Sequence, residues 1–134
     1  MMQINLQRYF LLFTGVTLML IGIAYCIDPN LLLARYDLSA TSASEDNMYR
    51  GAYGGLFITV GAAVAYGFRS AAFRFASTVF ALVFMGGFAI GRIASIALLG
   101  MPHQMIINLL VFEIVSSGLL IWFLFRQPSK TATQ

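Results

Sequence analysis

The sequence predicts an all-α protein, a four-helix transmembrane bundle with both termini in the cytoplasm. Its 134 residues are 60% hydrophobic and only 10% charged, whereas soluble domains carry about a quarter charged residues. Four apolar stretches each approach the ~20 residues that a helix needs to cross a bilayer. The length suffices for a single domain, predicted over residues 1–134.

The four apolar stretches are interpreted as helices because lipid offers no hydrogen-bond partners to the edge of an open strand. The predicted helices cover about residues 9–26, 43–68, 73–99 and 102–125, and a polar tail follows at 128–134. The first stretch is longer than the ~7–15-residue core of a signal peptide, so we interpret it as a retained span.

Local signals mark the ends of these helices. Pro29 ends the first helix, because the residue before a proline disfavours helical backbone. Ser42 and Glu45 have the spacing of a capping box at the start of the second helix. Asp46 and Arg50 follow four residues apart, which is the spacing of an ion pair on one face of a helix.

The positive charges predict the orientation of the bundle. Five of them fall on one side of the membrane if the two termini share it: Arg8, Arg69, Arg74, Arg126 and Lys130. On the opposite side, the arginines of the first loop are offset by acidic residues. Because cytoplasmic segments carry the excess of Lys and Arg, both termini are predicted to be cytoplasmic.

Small residues predict where helices approach each other closely, since packing rather than the hydrophobic effect holds helices together in lipid. The third helix carries Gly87, Gly91 and Ser95 at four-residue spacing, and we favour this stripe as a close-packing seam. The first helix has Gly15 and Gly22 near one face, a weaker signal of the same kind. Such seams join helices within one chain, in a homo-oligomer, or with another membrane protein, and the sequence leaves these open.

Two charged residues lie inside apolar stretches, Arg92 in the third and Glu113 in the fourth. A charge at the centre of a transmembrane helix costs about 2.5–3.5 kcal/mol on insertion scales, so it usually faces the bundle interior and has a partner. Counted from the turn that joins the two helices, both residues lie about 10–12 Å below the outer surface. We therefore expect an Arg92–Glu113 ion pair.

Other polar residues are predicted near the same outer end, and together they form a candidate binding site. Its residues are Arg50, Tyr53, Arg92, Ser95, Glu113 and Ser117. One arginine remains after the internal ion pair, and arginine binds carboxylate and phosphate groups bidentately. The expected ligand is an anionic lipid headgroup or a small molecule, and the alternative interpretation of the two buried charges is a purely structural ion pair.

The sequence contains no recognisable catalytic, metal or cofactor motif. It has one cysteine and one histidine, which is too few for a zinc or iron–sulfur site, and no catalytic triad is visible. Its eight Lys and Arg are scattered rather than gathered into the basic stripe of a nucleic-acid-binding protein. We expect no metal, no cofactor and no nucleic acid, and a non-enzymatic role is favoured.

Three short motifs carry a resemblance to a known family. In chain order they are Arg50-Gly51-Ala52-Tyr53-Gly54-Gly55, Gly91-Arg92-x-x-Ser95, and Glu113. Their combination resembles the bacterial membrane family catalogued as domain of unknown function 4345, and more distantly, in architecture, the DoxX-like four-helix membrane proteins. The resemblance spans nearly the whole chain and implies a small multi-pass protein of the bacterial inner membrane with no established activity. It points to the arginines, the tyrosine and the glutamate of these motifs.

Several functions are compatible with these features. The first is a binding or accessory membrane protein whose polar site holds an anionic group. The second is a small proton- or ion-coupled transporter. The expected arginine partner of Glu113 disfavours this function, because it favours the ionised carboxylate and makes proton uptake harder. The third is a purely structural partner subunit. Lipid-modifying chemistry with Glu113 as the base is a further alternative.

Overall fold

The computed structural model describes residues 2–126, and the predicted polar tail at 128–134 lies outside them. Within this range the chain forms helices and turns and no strand, which confirms the all-α fold class. The helices are α1 (Met2–Ile27), α2 (Asn30–Leu33), α3 (Ala43–Tyr49), α4 (Leu56–Arg69), α5 (Arg74–Leu99) and α6 (Gln104–Phe125). A 3-10 turn, Ala34–Tyr36, follows α2, and a π-helical segment, Arg50–Gly55, joins α3 directly to α4.

Four helical segments in the described range are long and apolar enough to span a membrane, and the chain is therefore a multi-pass membrane protein. The segments are Asn5–Ile27, Ala43–Arg69, Arg74–Leu99 and Gln104–Phe125. The shortest has 22 residues and is about 33 Å long at 1.5 Å per residue, enough for a hydrocarbon core of about 30 Å.

The first helix begins at Met2, earlier than residue 9, where the apolar stretch starts. Its polar residues are accommodated because neighbouring helices bind them. The side-chain amide of Gln7 donates to the Thr78 hydroxyl at 2.9 Å, and Nε of Arg8 donates to the carbonyl of Phe68 at 3.2 Å. The other three spans lie within two residues of the predicted bounds.

The closest helix contact runs between α1 and α4. A Cβ added to Gly15 would lie 2.5 Å from the carbonyl oxygen of Gly61, and one added to Gly22 would lie 2.7 Å from that of Gly54. The two backbones therefore touch, and only glycine fits at these positions. Among residues 2–126 no helix packs closely on the favoured seam of the third helix, because a Cβ at Gly87 or Gly91 would meet nothing within 4 Å.

The helices follow one another around the bundle in the order α1, α4, α5, α6. We call the end that holds the start of α1, the α4–α5 turn and the end of α6 the terminal end, and the opposite end the loop end. Near the terminal end α1 and α6 meet: the rings of Phe10 and Phe123 are 5.9 Å apart, and Leu11 and Leu120 share one buried core. Towards the loop end a cavity separates the two helices.

Candidate functional site

A cavity of about 440 Å³ lies between α1, α5 and α6 in the half of the bundle nearer the loop end. The connection between α1 and α3 covers it and contributes Leu33, Arg35 and Tyr36 to its wall. Most of the lining is apolar or aromatic. The charged side chains among its lining residues are Arg35, Arg92 and Glu113.

The predicted Arg92–Glu113 ion pair is present. Nε of Arg92 donates to both carboxylate oxygens of Glu113 at 3.0 Å each. The glutamate side chain is 8% exposed and the arginine side chain 24%, so the carboxylate is the more deeply buried partner. The guanidinium carbon also lies 5.8 Å from the centroid of the Phe88 ring, within the range of a cation–π contact.

The ion pair uses only part of the guanidinium. A guanidinium has five N–H donors, and both hydrogen bonds to Glu113 come from Nε. Among the residues that the structure describes, Nη1 and Nη2 of Arg92 have no hydrogen-bond partner. Arg92 is therefore held in place by Glu113 while its two terminal nitrogens stay available.

A second cation, Arg35, belongs to the cover of the cavity. It sits in the 3-10 turn directly before Asp37, whose left-handed backbone (φ 58°) reverses the chain. Within residues 2–126 no carboxylate lies at ion-pair distance from Arg35, since the ion pairs there are Arg50–Asp46 and Arg92–Glu113. With two arginines and one glutamate in its wall, the cavity has a net charge of +1.

The cover is fixed by hydrogen bonds of its own. The side-chain oxygen of Asn30 accepts from the backbone N–H of Ala40 at 2.8 Å, and the backbone N–H of Leu38 donates to the carbonyl of Leu33 at 3.1 Å. Leu33 is only 2% exposed, so it anchors the connection on the bundle. This connection is therefore anchored over the cavity at the loop end.

Aromatic rings form one wall of the cavity, and Tyr53 stands at their centre. Its ring centroid lies 5.2 Å from that of Tyr25, 5.9 Å from that of Tyr49 and 5.6 Å from that of Phe57. Rings at these separations interact favourably in tilted arrangements. The wall is thus built from side chains that hold one another in position.

Three of the six predicted site residues line the cavity: Tyr53, Arg92 and Glu113. Arg50 does not. Its Nε lies 2.6 Å from Asp46 Oδ2, which confirms the predicted pair. Its Nη1 donates to the carbonyls of Cys26 and Ile27, at 3.1 Å for Ile27. Arg50 therefore caps the free carbonyls at the end of α1, where a cation is favourable.

The two predicted serines lie elsewhere. Ser95 lines a separate, more open groove of about 600 Å³ together with Gly87 and Gly91, and Arg92 stands in the wall shared by groove and cavity. The hydroxyl of Ser117 is buried without a hydrogen-bond partner in the described part of the chain. It lies on the seam between α5 and α6, 3.8 Å from where a Cβ of Gly86 would be.

Sequence reasoning missed several lining residues. On α1 these are Thr14, Thr17 and Tyr25, and their spacing of three, then eight residues places them on one helical face. That periodicity was available as a signal. No periodic signal exists for Arg35, because it lies in an irregular connection whose path over the bundle does not follow from helical periodicity.

The arrangement can hold an anion through guanidinium N–H groups and an apolar or aromatic body against the rings. In residues 2–126 no group of three or more His, Cys, Asp or Glu side chains is placed to hold a metal ion. The fold and the cavity together define a small four-helix multi-pass membrane protein with a charged, aromatic-lined interior site.

The chain belongs to the family described as "domain of unknown function (DUF4345)", whose model matches residues 6–124. This match confirms the resemblance inferred from the motifs and covers all four spans except Asn5 and Phe125 at their ends. No curated protein and no solved structure matches the sequence significantly.

Proposed function

We propose that this protein binds, within the membrane, a small amphipathic molecule that carries a carboxylate or phosphate group. The observation that carries this proposal is the state of Arg92, which lies in the cavity wall and gives only Nε to Glu113. The terminal nitrogens of a guanidinium form the fork that binds carboxylate and phosphate in two parallel hydrogen bonds. Because Glu113 already holds the guanidinium in place, little conformational entropy of the Arg92 side chain is lost when a ligand binds.

The charge of the cavity supports an anionic rather than a neutral ligand. Arg35 adds a second guanidinium to the lining, and Glu113 removes the charge of only one. Arg50, which the sequence predicted to supply the surplus charge, is instead engaged with Asp46 and with the end of α1. Arg35 takes that role in the proposal.

The size and the remaining lining support a ligand that also has an apolar part. About 440 Å³ falls in the range of about 300–1,000 Å³ that is typical of small-molecule sites. Such sites are mostly apolar with a few placed polar groups. Here the aromatic wall around Tyr53 supplies the apolar surface, and the two arginines supply the polar groups.

We further infer that the protein resides in the bacterial inner membrane with both termini in the cytoplasm. Arg8, Arg69, Arg74 and Arg126 lie at the terminal end of the bundle, and positive charge favours the cytoplasmic side. In this orientation the cavity and its cover lie towards the outer face of the membrane.

Native mass spectrometry of the protein extracted in mild detergent tests the binding function. We expect wild type to carry a discrete anionic mass, and Arg35→Gln to lose at least nine-tenths of it. Arg35 is exposed and without a carboxylate partner in the described range, so this substitution removes charge without disturbing the fold. The double variant Arg92→Gln/Glu113→Gln is expected to lose the mass as well.

The matched control is Arg126→Gln. Arg126 lies at the terminal end of α6, with its guanidinium 5.5 Å from the ring of Trp122 and away from the cavity. It should retain the bound mass in full. If the cavity variants retain the mass as well as Arg126→Gln does, or if wild type binds no carboxylate or phosphate amphiphile when one is added, the proposal is wrong and the ion pair is structural.

A further inference from the structure

We infer that the ligand of this cavity is a membrane lipid whose anionic group lies at the arginines and whose acyl chain leaves the protein between α1 and α6. The inference rests on the proposed function and adds to it the source of the ligand and the path by which it reaches the site. It is carried by the position of the cavity mouth relative to the charges.

Two phenylalanines lie at the mouth of the cavity, which is the place where it opens on the side of the bundle. Phe13 on α1 and Phe112 on α6 both line the cavity, and they are 64% and 45% exposed on the outer surface of the bundle. A side chain that belongs both to a cavity wall and to the outer surface stands where the cavity opens. An opening on the side of the bundle therefore lies between α1 and α6.

This opening faces hydrocarbon rather than water. Phe13 is eight residues inside the span that begins at Asn5, and Phe112 is eight residues inside the span that begins at Gln104. At 1.5 Å per residue each lies about 12 Å from the nearer end of its span. Both positions fall well within a hydrocarbon core of about 30 Å.

The packing of α1 explains why the two helices part here. Gly15 brings α1 into backbone contact with α4 at Gly61, so α1 packs against α4 rather than against α6 at the level of the cavity. Only near the terminal end do α1 and α6 share a core, through Leu11 and Phe123. The gap above that core is left between the first and last helices of the bundle.

At the loop end a connection lies across the approach from water, and its exposed lining residues Arg35 and Leu38 stand at the edge of a second opening there. The connection that begins at Asn30 is tied to Ala40 by a side-chain hydrogen bond and is anchored by the buried Leu33. A water-soluble ligand would have to pass this cover, whereas a lipid reaches the side opening directly from the bilayer. The structure thus favours the lipid phase as the source.

The charges lie where a lipid headgroup would be. Arg92 is seven residues, about 10 Å along α5, nearer the loop end than Met85, which packs at the level of Leu18. Arg35 lies still nearer the loop end, in the cover. A lipid keeps its head towards the membrane surface and its chain towards the bilayer centre. The anionic group therefore lies at the arginines, level with Phe112, and the chain continues towards the deeper Phe13.

The volume points the same way. About 440 Å³ is at the lower end of small-molecule sites, so it accommodates a headgroup and the first part of a chain. The remaining methylene groups would lie outside the mouth, against the exposed ring of Phe13. Bilayer hydrocarbon solvates them there without cost.

Three compounds test separately how much the phosphate group and the acyl chain contribute to binding. Purified protein in nanodiscs of neutral phosphatidylcholine is titrated with palmitoyl lysophosphatidic acid, with glycerol 3-phosphate and with monopalmitoylglycerol. We expect the first to bind at least tenfold more tightly than either of the others. If glycerol 3-phosphate binds as tightly as the chain-bearing phosphate, the lipid inference is overturned while the proposed anion site stands. If neither phosphate binds, both are overturned.

A cross-link across the mouth tests the path. Cysteines replace Phe13 and Phe112 in a Cys26→Ser background, the protein is loaded with palmitoyl lysophosphatidic acid, and the pair is joined with a short bismaleimide. The matched control joins Leu56→Cys to Val83→Cys across the groove between α4 and α5, whose positions are 49% and 67% exposed. Each linked protein is compared with its own unlinked form, so differences in folding do not enter.

We expect the α1–α6 link to slow lipid release at least tenfold and the groove link to leave the release rate within twofold. Release at the unlinked rate after the α1–α6 link would overturn the inferred path. Slower release with the groove link alone would place the chain on the glycine face of α5 instead and would equally overturn it.

Discussion

Nε of Arg92 lies 3.0 Å from each carboxylate oxygen of Glu113, so one nitrogen of the guanidinium satisfies both oxygens of the buried acid. The two terminal nitrogens remain without partners in the described part of the chain. The pair thereby combines two roles that are usually weighed against each other. It neutralises a charge inside the membrane, and it presents a fixed, half-used guanidinium to the cavity.

The two halves of the ion pair should respond unequally to removal. Arg92→Gln leaves a carboxylate that is only 8% exposed without its cation, whereas Glu113→Gln leaves a more accessible guanidinium. We expect Arg92→Gln to lower the free energy of unfolding by about 3 kcal/mol, as for other broken buried pairs, and Glu113→Gln to lower it by less. Unfolding with sodium dodecyl sulfate in mixed micelles measures both.

The double variant completes a double-mutant cycle with these two single substitutions. Arg92→Gln/Glu113→Gln should be more stable than Arg92→Gln alone, because no buried charge is left uncompensated. Losses that simply add would show that the two side chains do not interact energetically, in conflict with their geometry.

The glycines of α1 and α5 should respond in opposite ways to the same substitution. Gly15→Ala places a Cβ 2.5 Å from backbone atoms of Gly61 and Ala65, and we expect a loss of at least about 2 kcal/mol from overpacking. Gly91→Ala meets nothing within 4 Å and should keep full stability, since alanine is the better helix former. Thermal unfolding in detergent compares them, and a strong loss at Gly91 alone would mean that an interchain contact occupies that face.

Substitution of Arg50 should lower stability without weakening binding, and substitution of Arg35 should weaken binding without lowering stability. Arg50→Gln removes the ion pair with Asp46 and the hydrogen bonds to the end of α1, so we expect a lower melting temperature than that of wild type. Its affinity for an anionic amphiphile should stay within twofold of wild type. Arg35→Gln should do the reverse, and paired measurements of melting temperature and dissociation constant check both. If the two substitutions weaken binding equally, Arg50 is part of the binding site and the assignment to Arg35 is wrong.

The inferred orientation is tested by labelling cysteines in intact bacterial cells. In a Cys26→Ser background, Ser39→Cys lies in the exposed connection before α3, and Ala71→Cys lies in the exposed turn between α4 and α5. A membrane-impermeant maleimide should label Ser39→Cys from outside and label Ala71→Cys only after the cells are broken. The opposite pattern would place the termini outside the cytoplasm.

The spans and the ion pair could be predicted from the sequence because both depend on distance along a helix. Length and hydropathy define each span, and the tight turn between α5 and α6 places Arg92 and Glu113 at matching depth. The rise per residue is nearly constant in a helix, so depth can be counted. Arg92 and Glu113 are the two predicted residues whose proximity follows from depth alone.

Rotation about a helix axis could not be counted in the same way. The six residues Arg50–Gly55 form a π-helical segment, and wider turns shift the direction of every side chain relative to an α-helix. The segment keeps Tyr53 on the cavity and directs Arg50 to the end of α1. Ser95 and Ser117 have suitable depth on their helices, but they face a groove and a helix seam.

The glycine seams show a related limit. Gly87 and Gly91 have the stronger motif spacing, yet Gly15 and Gly22 make the close contact. A small-residue motif states that a helix can approach another closely, but the partner's shape decides whether it does. Here Gly54 of the π-helical segment and Gly61 of α4 have the same seven-residue spacing as Gly15 and Gly22, and this mutual match selects the pairing of α1 with that continuous helical span.

Charge reversal at Arg35 tests most directly the claim that the cavity binds an anionic amphiphile. Arg35→Glu changes the net charge of the lining from +1 to −1 at an exposed position of the cover, so the fold should be unaffected. Calorimetric titration of the purified protein with palmitoyl lysophosphatidic acid is predicted to give a dissociation constant at least tenfold higher for the variant than for wild type. An unchanged dissociation constant, with the melting temperature also unchanged, would contradict the account.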